Sequence, residues 1–181
     1  IALAKQRPGQ LNYASIGIGS TPHLESELFN SMAGVNIVHV PYKSAGQTVS
    51  ALLTGEAQVL FTSESTALPH IKSGKVRAIA SVGRQRTSGS PDVPTLIESG
   101  LSGYEMGSWY GLLVPIGTAD EIVRKLNADT VKALDSNELR ALLGVQGLEA
   151  RASSPEDFRV FALRDAERQA ELIRKLGIKP Q

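Results

Sequence analysis

No cysteine occurs anywhere in the 181 residues. Without thiols there is neither a disulfide framework nor a thiolate metal site. The absence suits an oxidising compartment, where stray thiols are a liability. An excess of charge of one sign is missing too: 19 basic residues face 18 acidic ones, for a net charge of +1. A nucleic-acid-binding chain would carry a basic patch or stripe, so no nucleic-acid partner is expected. No apolar run is long enough to cross a bilayer, and no direct membrane insertion is expected. No secretory leader is visible, and no initiator Met opens the chain. It begins Ile1-Ala2-Leu3-Ala4-Lys5-Gln6-Arg7 and turns at Pro8-Gly9, like the end of an amphipathic helix. The expectation is a sequence that starts inside a longer protein. His23, His39 and His70 are scattered without metal-ligand spacing, so neither a metal nor a cofactor is expected.

Hydrophobic residues make up 41% of the chain, enough for a proper core and against disorder. The stretch that organises it is Leu11-Asn12-Tyr13-Ala14-Ser15-Ile16-Gly17-Ile18-Gly19-Ser20-Thr21-Pro22-His23-Leu24. It reads as a strand, a glycine-hinged loop and a helix start. Thr21 suits the N-cap and Pro22 the first helical position. Leu24, Leu28, Phe29 and Met32 mark one helical face. A helix start presents N–H groups and a partial positive charge, a cradle for a carboxylate or phosphate. Ser15, Ser20, Thr21 and His23 add side-chain donors, and an anionic small molecule is the expected occupant. Glycine loops of this kind also serve as plain connections. Nucleotide fingerprints do not fit: Pro22 stands where the dinucleotide motif needs its third glycine, and Gly74-Lys75 runs into Val76.

Helices and strands then alternate. A helix over Pro22–Ala33 is stopped by Gly34, and a strand over Asn36–Val40 ends at Pro41-Tyr42. Ser44-Ala45-Gly46 opens a third helix with Val49, Leu52 and Leu53 as its buried face, closed by Gly55. A strand over Ala57–Thr62 leads through Ser63-Glu64-Ser65-Thr66 into a short helix with Leu68 and Ile71 inward. Gly74 ends that helix, and Val76–Val82 is a further strand. This alternation predicts an α/β fold: a mostly parallel sheet with helices on both faces. Ligands of such sheets bind beyond the carboxyl ends of the strands. Three polar turns lie there, Ser15–Thr21, Pro41–Gly46 and Ser63–Thr66, and three together favour a site over plain connections.

Gly83–Val93 is a polar loop, Pro94–Ser99 a short helix, and Gly103–Pro115 an extended stretch that could cross between two lobes. Thr118-Ala119-Asp120-Glu121 is a capping box opening a helix striped by Ile122, Val123, Leu126, Val131 and Leu134. Ser136 starts a short helix with Leu139, Leu142 and Leu143 buried, closed near Gly147. Ser154-Pro155-Glu156-Asp157 caps a last helix that ends at Gly177.

Spread over nearly the whole chain are landmarks in a specific order. They begin with Pro8-Gly9-Gln10-Leu11-Asn12-Tyr13-Ala14-Ser15, Gly17, Gly19, Ser20, His23-Leu24, and then Met32-Ala33-Gly34. His39-Val40-Pro41-Tyr42-Lys43, Leu53-Thr54-Gly55, Pro69–Ala78 and Pro91-Asp92-Val93-Pro94-Thr95 follow. Trp109–Pro115, Lys125-Leu126-Asn127 and Ile173–Lys179 complete the series. On these the chain resembles the Bug family, the extracytoplasmic substrate receptors of tripartite tricarboxylate transporters. The resemblance implies a bilobal periplasmic-binding-protein-like fold, with a small carboxylate held in the cleft. It implies a non-enzymatic receptor in the periplasm that delivers its ligand to the membrane subunits of a transporter. Residues 1–103 would form the second αβ lobe, with the glycine ligand loop. Residues 104–181 would hold the crossing strand and the C-terminal part of the first lobe. The family's N-terminal portion, with its own ligand loop, has no counterpart here.

Carried over by position, Ser15, Gly17, Gly19, Ser20, Thr21 and His23 match the second lobe's glycine loop. Tyr42, Lys43 and Ser44 match the loop after the next strand, where a glycine is usual in place of Ser44. Phe61-Thr62-Ser63 stands where the family often shows Phe-Asp, a lost carboxylate that would change which ligand polar groups are accepted; Ser63 is the candidate ligand residue of that loop. Two other functions compete. One is a ligand-sensing subunit of a signalling system, built on the same lobes. The other is a serine hydrolase using Ser20 and His23, which lacks the Gly-x-Ser-x-Gly elbow.

Overall fold

The computed structural model describes residues 1–178 apart from Ser88, Glu105 and Gly147. The described chain divides into two compact units, Ile1–Gly107 with Glu171 onward, and Ser108–Ala170.

The first unit is built on a parallel sheet of β1 (Asn12–Ser15), β2 (Val38–Pro41) and β3 (Val59–Leu60), in the order β2-β1-β3. Tyr13 pairs with His39 and with Val59, and Ser15 with Pro41. Successive strand residues face opposite sides of a sheet, and β1 buries both. Tyr13 packs with Phe29 of α2 (Thr21–Ala33), Ala4 of α1 (Ala2–Gln6) and Ile37. Ala14 packs against Ala51 of α3 (Ala45–Thr54) and Ala57. Helices therefore cover both faces, as the alternation of elements predicts. A larger core gathers Leu24, Leu96, Leu101, Tyr104 and Met106 with Leu28, Phe29 and Met32 along one stripe of α2. The Tyr104 hydroxyl donates to the Glu25 carbonyl at 2.9 Å, tying this core to α2.

Several expectations shift. The N-cap of α2 is Ser20 and not Thr21, so Pro22 sits one place deeper. The buried face of α3 is Thr48 and Ala51, with Leu53 40% exposed. Small residues face β1 there because a helix pressed on a sheet leaves little room over Ala14. Val76–Val82 forms no ladder, only a single parallel bridge between Ser81 and Thr95. Strand propensity describes fit to a pleated surface and does not supply a partner strand. Ala80 and Val82 still pack on the core. Pro94–Ser99 is a turn, although it carries a reciprocal capping box: the Glu98 N–H reaches Thr95 Oγ1 at 3.0 Å, and the Thr95 N–H reaches Glu98 Oε2 at 2.7 Å. α4 (Glu64–Lys72) follows β3 and has no fully buried residue; Leu68 and Ile71 are half-buried.

The second unit holds α5 (Asp120–Leu134), α6 (Asn137–Val145) and most of α7 (Pro155–Lys175). Ser136 and Ser154 cap α6 and α7 through their hydroxyls. The box expected at Thr118–Glu121 does not form: Ala119 is the N-cap of α5 and Thr118 Oγ1 turns back to the Pro115 carbonyl at 2.8 Å. Among the described residues, 108–115 pair in no strand. The apolar stripes of α5 and α6 are only partly covered: Val123, Val131, Leu134, Leu139 and Leu143 are half-buried, while Ile122 is 53% and Leu142 60% exposed. The stop expected at Gly147 lies outside the described residues.

Candidate functional site

Parallel strands point the same way, so the loops after β1, β2 and β3 leave one edge of the sheet. Each leads into a helix whose N-cap is a serine: Ser20 for α2, Ser44 for α3 and Ser63 for α4. Serine at these places has a local cause, since its hydroxyl competes for nearby backbone groups and so favours caps over helix interiors. Three helix starts at one sheet edge concentrate N–H groups and partial positive charge.

The loop after β1 is open. Gly19 and Ile18 are exposed, and Gly17, Ser20 and Thr21 half-buried. Gly17 and Gly19 have φ of +121° and +80°, and a Cβ added at either would meet no atom within 4 Å. Glycine is required here by backbone conformation and not by crowding. Much of the loop's hydrogen bonding is internal. The Gly17 N–H donates to Ser15 Oγ at 3.1 Å, the Ser20 N–H to the Gly17 carbonyl at 3.3 Å, and Ser20 Oγ to the same carbonyl at 2.7 Å. The Gly19 N–H donates to His23 Nδ1 at 3.2 Å. No described hydrogen bond takes the N–H of Ile18 or Thr21, nor those of Ile16 and His23 on either side, so Ile18 and Thr21 are among the loop's uncommitted donors.

Beneath the loop lies a polar cluster. Ser15 is fully buried, and its Oγ sits 2.6 Å from His39 Nε2. The His39 ring stacks on Tyr13 with centroids 4.9 Å apart and meets the His23 ring at 4.4 Å. Tyr13 donates its hydroxyl to Glu27 Oε1 at 2.5 Å. Burial, followed by the Glu27 carboxylate, pushes the Tyr13 phenol above its ordinary range. Burial holds the His23 imidazole below its usual value, against the pull of Glu27. His39 is lowered by burial and then by a charge on His23. Both rings are therefore neutral at pH 7, as Nδ1 of His23 must be to accept a hydrogen bond.

The other candidate residues stand on the neighbouring loops. Tyr42 is half-buried against Ala14 and Ala51, and its N–H donates to the Ser15 carbonyl at 2.8 Å. Lys43 is exposed, and Ser44 Oγ caps the Gln47 N–H at 3.4 Å. A recess of about 520 Å³ runs from Tyr42 and Lys43 along α3 to Glu56, away from residues 16–21. Ser63 is exposed and its Oγ is shared with the hydroxyls of Ser65 and Thr66. No hydrogen bond joins Ser20 to His23, so the pairing a hydrolase would need is not made. Among the described residues no three metal-binding side chains come together, and no helix is long and apolar enough to cross a membrane.

Tyr13, Glu27 and His39 belong to the cluster beneath the loop and are not among the candidates drawn from the sequence, where His39 reads as a structural strand residue. Their signals were present: Tyr13 and Ser15 share a strand face, and Glu27 follows His23 by one helical turn. Only the register of β1 on β2 brings His39 to them.

A parallel sheet with helices on both faces and helix starts along one edge defines an α/β protein of the periplasmic-binding-protein kind. The chain belongs to the tripartite tricarboxylate transporter receptor family, whose model matches residues 1–178. It is 33% identical over 179 residues to BugT of Bordetella pertussis, covering 99% of this chain and 55% of that one. Its fold superposes on R. palustris Rpa4515, solved with adipate, with a TM-score of 0.91 at 32% identity, covering 99% of this chain and 60% of the other. MatC from Rhodopseudomonas palustris, with bound malate, matches with a TM-score of 0.74 at 32% identity, covering 97% and 58%. The family's proteins are substrate-binding receptors. The chain spans about half the length of the curated relatives it matches, 55% in the case of BugT.

Proposed function

We propose that this protein is a periplasmic receptor that binds a small carboxylate and delivers it to the membrane subunits of a tripartite tricarboxylate-type transporter, without transforming it. The observation that carries the reading is the set of three helix starts, each with serine at the N-cap position, leaving one parallel sheet edge, beside a loop with the N–H groups of Ile18 and Thr21 uncommitted. A carboxylate oxygen accepting such donors forms charge-assisted bonds, and ordered water can complete its shell. Gly17, Gly19, Ser20, Thr21 and His23 form the primary contact loop, with Ser15 supporting it from below. Tyr42, Lys43, Ser44 and Ser63 line the flanking loops. Adipate in Rpa4515 and malate in MatC make a dicarboxylate the favoured ligand class.

In this reading residues 1–103 are one αβ lobe, and residues 104–181 hold a crossing segment and part of a second. The uncovered apolar residues of α5 and α6 suit helices of a lobe whose remaining elements lie elsewhere in a longer protein. Isothermal titration of the intact protein with adipate, malate and citrate tests the function. Saturable binding of at least one, with the acid recovered unchanged, is expected. A folded protein that binds none of them, or that converts one to product, overturns the proposal.

A further inference from the structure

We propose that His23 is the positioning residue of the glycine loop: by accepting the Gly19 N–H at Nδ1 it holds that amide inward, leaving the Ile18 and Thr21 amides as the donors offered to ligand. The inference rests on the carboxylate reading above for its consequence, but not for its geometry. His23 is anchored in the first turn of α2 and is 6% exposed, whereas the loop it holds is open to solvent. Its acceptor contact with Gly19 at 3.2 Å is the only described side-chain bond to that amide. The other end of the loop is held by Ser15, whose Oγ takes the Gly17 N–H and touches His39. The two histidine rings, 4.4 Å apart, thus stand under the two glycines and hold one each, His23 directly and His39 through Ser15.

This arrangement makes the loop sensitive to protons. An imidazole protonated at Nδ1 is a donor and no longer accepts from an amide, so charging His23 sets two N–H groups against each other. The described titratable groups facing the pair are Tyr13 from β1, Glu27 from α2 itself, and His39 and His23 towards one another. Glu27 favours a charged His23, but its Oε1 already accepts from Tyr13. Burial opposes the charge on His23, and a charge there in turn disfavours one on His39. Acidification below the ordinary histidine range is the point at which Gly19 is released.

Nuclear magnetic resonance on the unliganded wild-type protein tests this without any variant. The Gly19 amide and the His23 ring carbon protons should titrate together, with one midpoint below 6.5. A Gly19 amide that stays still while His23 titrates overturns the inference. In His23→Asn, whose amide oxygen stands where Nδ1 does, the Gly19 amide should lose that titration. Binding of adipate supplies the second arm. At pH 7.5 His23→Leu should weaken it about tenfold, and His23→Asn should restore most of the loss. Between pH 7.5 and the pH at which the ring signals show His23 charged, the wild type should lose severalfold more affinity than His23→Asn, the protonation of adipate itself being common to both. Equal losses overturn the inference. If adipate binds to no form, the carboxylate reading fails, while the Gly19 titration still decides the role of His23.

Discussion

Trp109 Nε1 donates to Asp165 Oδ2 at 3.0 Å, joining an extended segment to the last helix within the second unit. Asp165 also accepts from Arg168 at 2.6 Å and Gln169 at 2.9 Å. It is the one fully buried residue among those described in 108–170, at 8% exposure. Trp109 packs edge-on against Phe158 and Phe161, with centroids 5.4 and 5.6 Å away. Trp109 itself is 39% exposed, and Asp165 supplies the acceptor that an indole N–H usually finds at a packed edge.

Burial alone would raise the Asp165 carboxyl, but bonds from Trp109, Arg168 and Gln169 hold it below the usual carboxylate range. A depressed folded-state value gives stability that is present above the unfolded value, near 3.9, and lost as pH falls through the folded one. Asp165→Asn should cost about 1.5–3 kcal/mol at pH 7, the range for hydrogen bonds to a charged group. Chemical denaturation at pH 7 and pH 3 checks it, and the gap between variant and wild type should narrow at the lower pH.

Glu25 titrates the other way. It is 6% exposed in α2, and burial pushes its carboxyl up to about 7. Between the unfolded value, near 4.3, and about 7 the folded state holds a proton the unfolded chain has lost. Stability therefore falls with rising pH across that window and levels off above it. Glu25→Gln, neutral at every pH, should gain about 3–4 kcal/mol on wild type between pH 4 and pH 8, the free-energy equivalent of that shift. That advantage should shrink to about 1 kcal/mol at pH 5 and vanish near pH 4. Melting temperatures of both proteins from pH 4 to 8 measure the difference.

Gly19→Val probes the loop itself. A β-branched residue at φ +80° costs about 1–3 kcal/mol in backbone strain, and the exposed loop can relieve it only by leaving its conformation. Adipate affinity should fall at least tenfold in calorimetry, while circular dichroism and the cooperativity of melting stay those of wild type. Retained affinity would count against the loop as the ligand contact.

Tyr13→Phe removes a buried hydroxyl and leaves Glu27 without its donor. A loss of about 1–3 kcal/mol is expected, as for an unsatisfied charged acceptor, measured by urea denaturation.

Much of the fold was legible along the chain. Gly34 and Gly55 stop α2 and α3 in the left-handed conformation, and the Leu24–Met32 stripe lies on the core. These features depend on residues a few places apart. The readings that failed depended on distant partners. Val76–Val82 has strand composition but a single bridge. Thr118 has the right spacing for a cap, yet its hydroxyl goes to Pro115. α3 shows Thr48 and Ala51 to the sheet, where its larger Leu53 would not fit over Ala14.

For the site, the glycine loop and the serine-rich turns stood out from residue type alone, because backbone freedom and helix capping are local properties. Which donors remain available was decided only by folding. The register that sets Tyr13 beside His39 brings two histidines 16 residues apart in the chain to within 4.4 Å. It sets the buried Ser15 hydroxyl against His39 beneath the loop, whereas the Gly19 amide goes to His23 only four places along the chain. Short-range sequence encodes conformation, whereas the competition among acceptors for a given N–H is settled by which side chains the sheet and helix place within 3 Å or so of it.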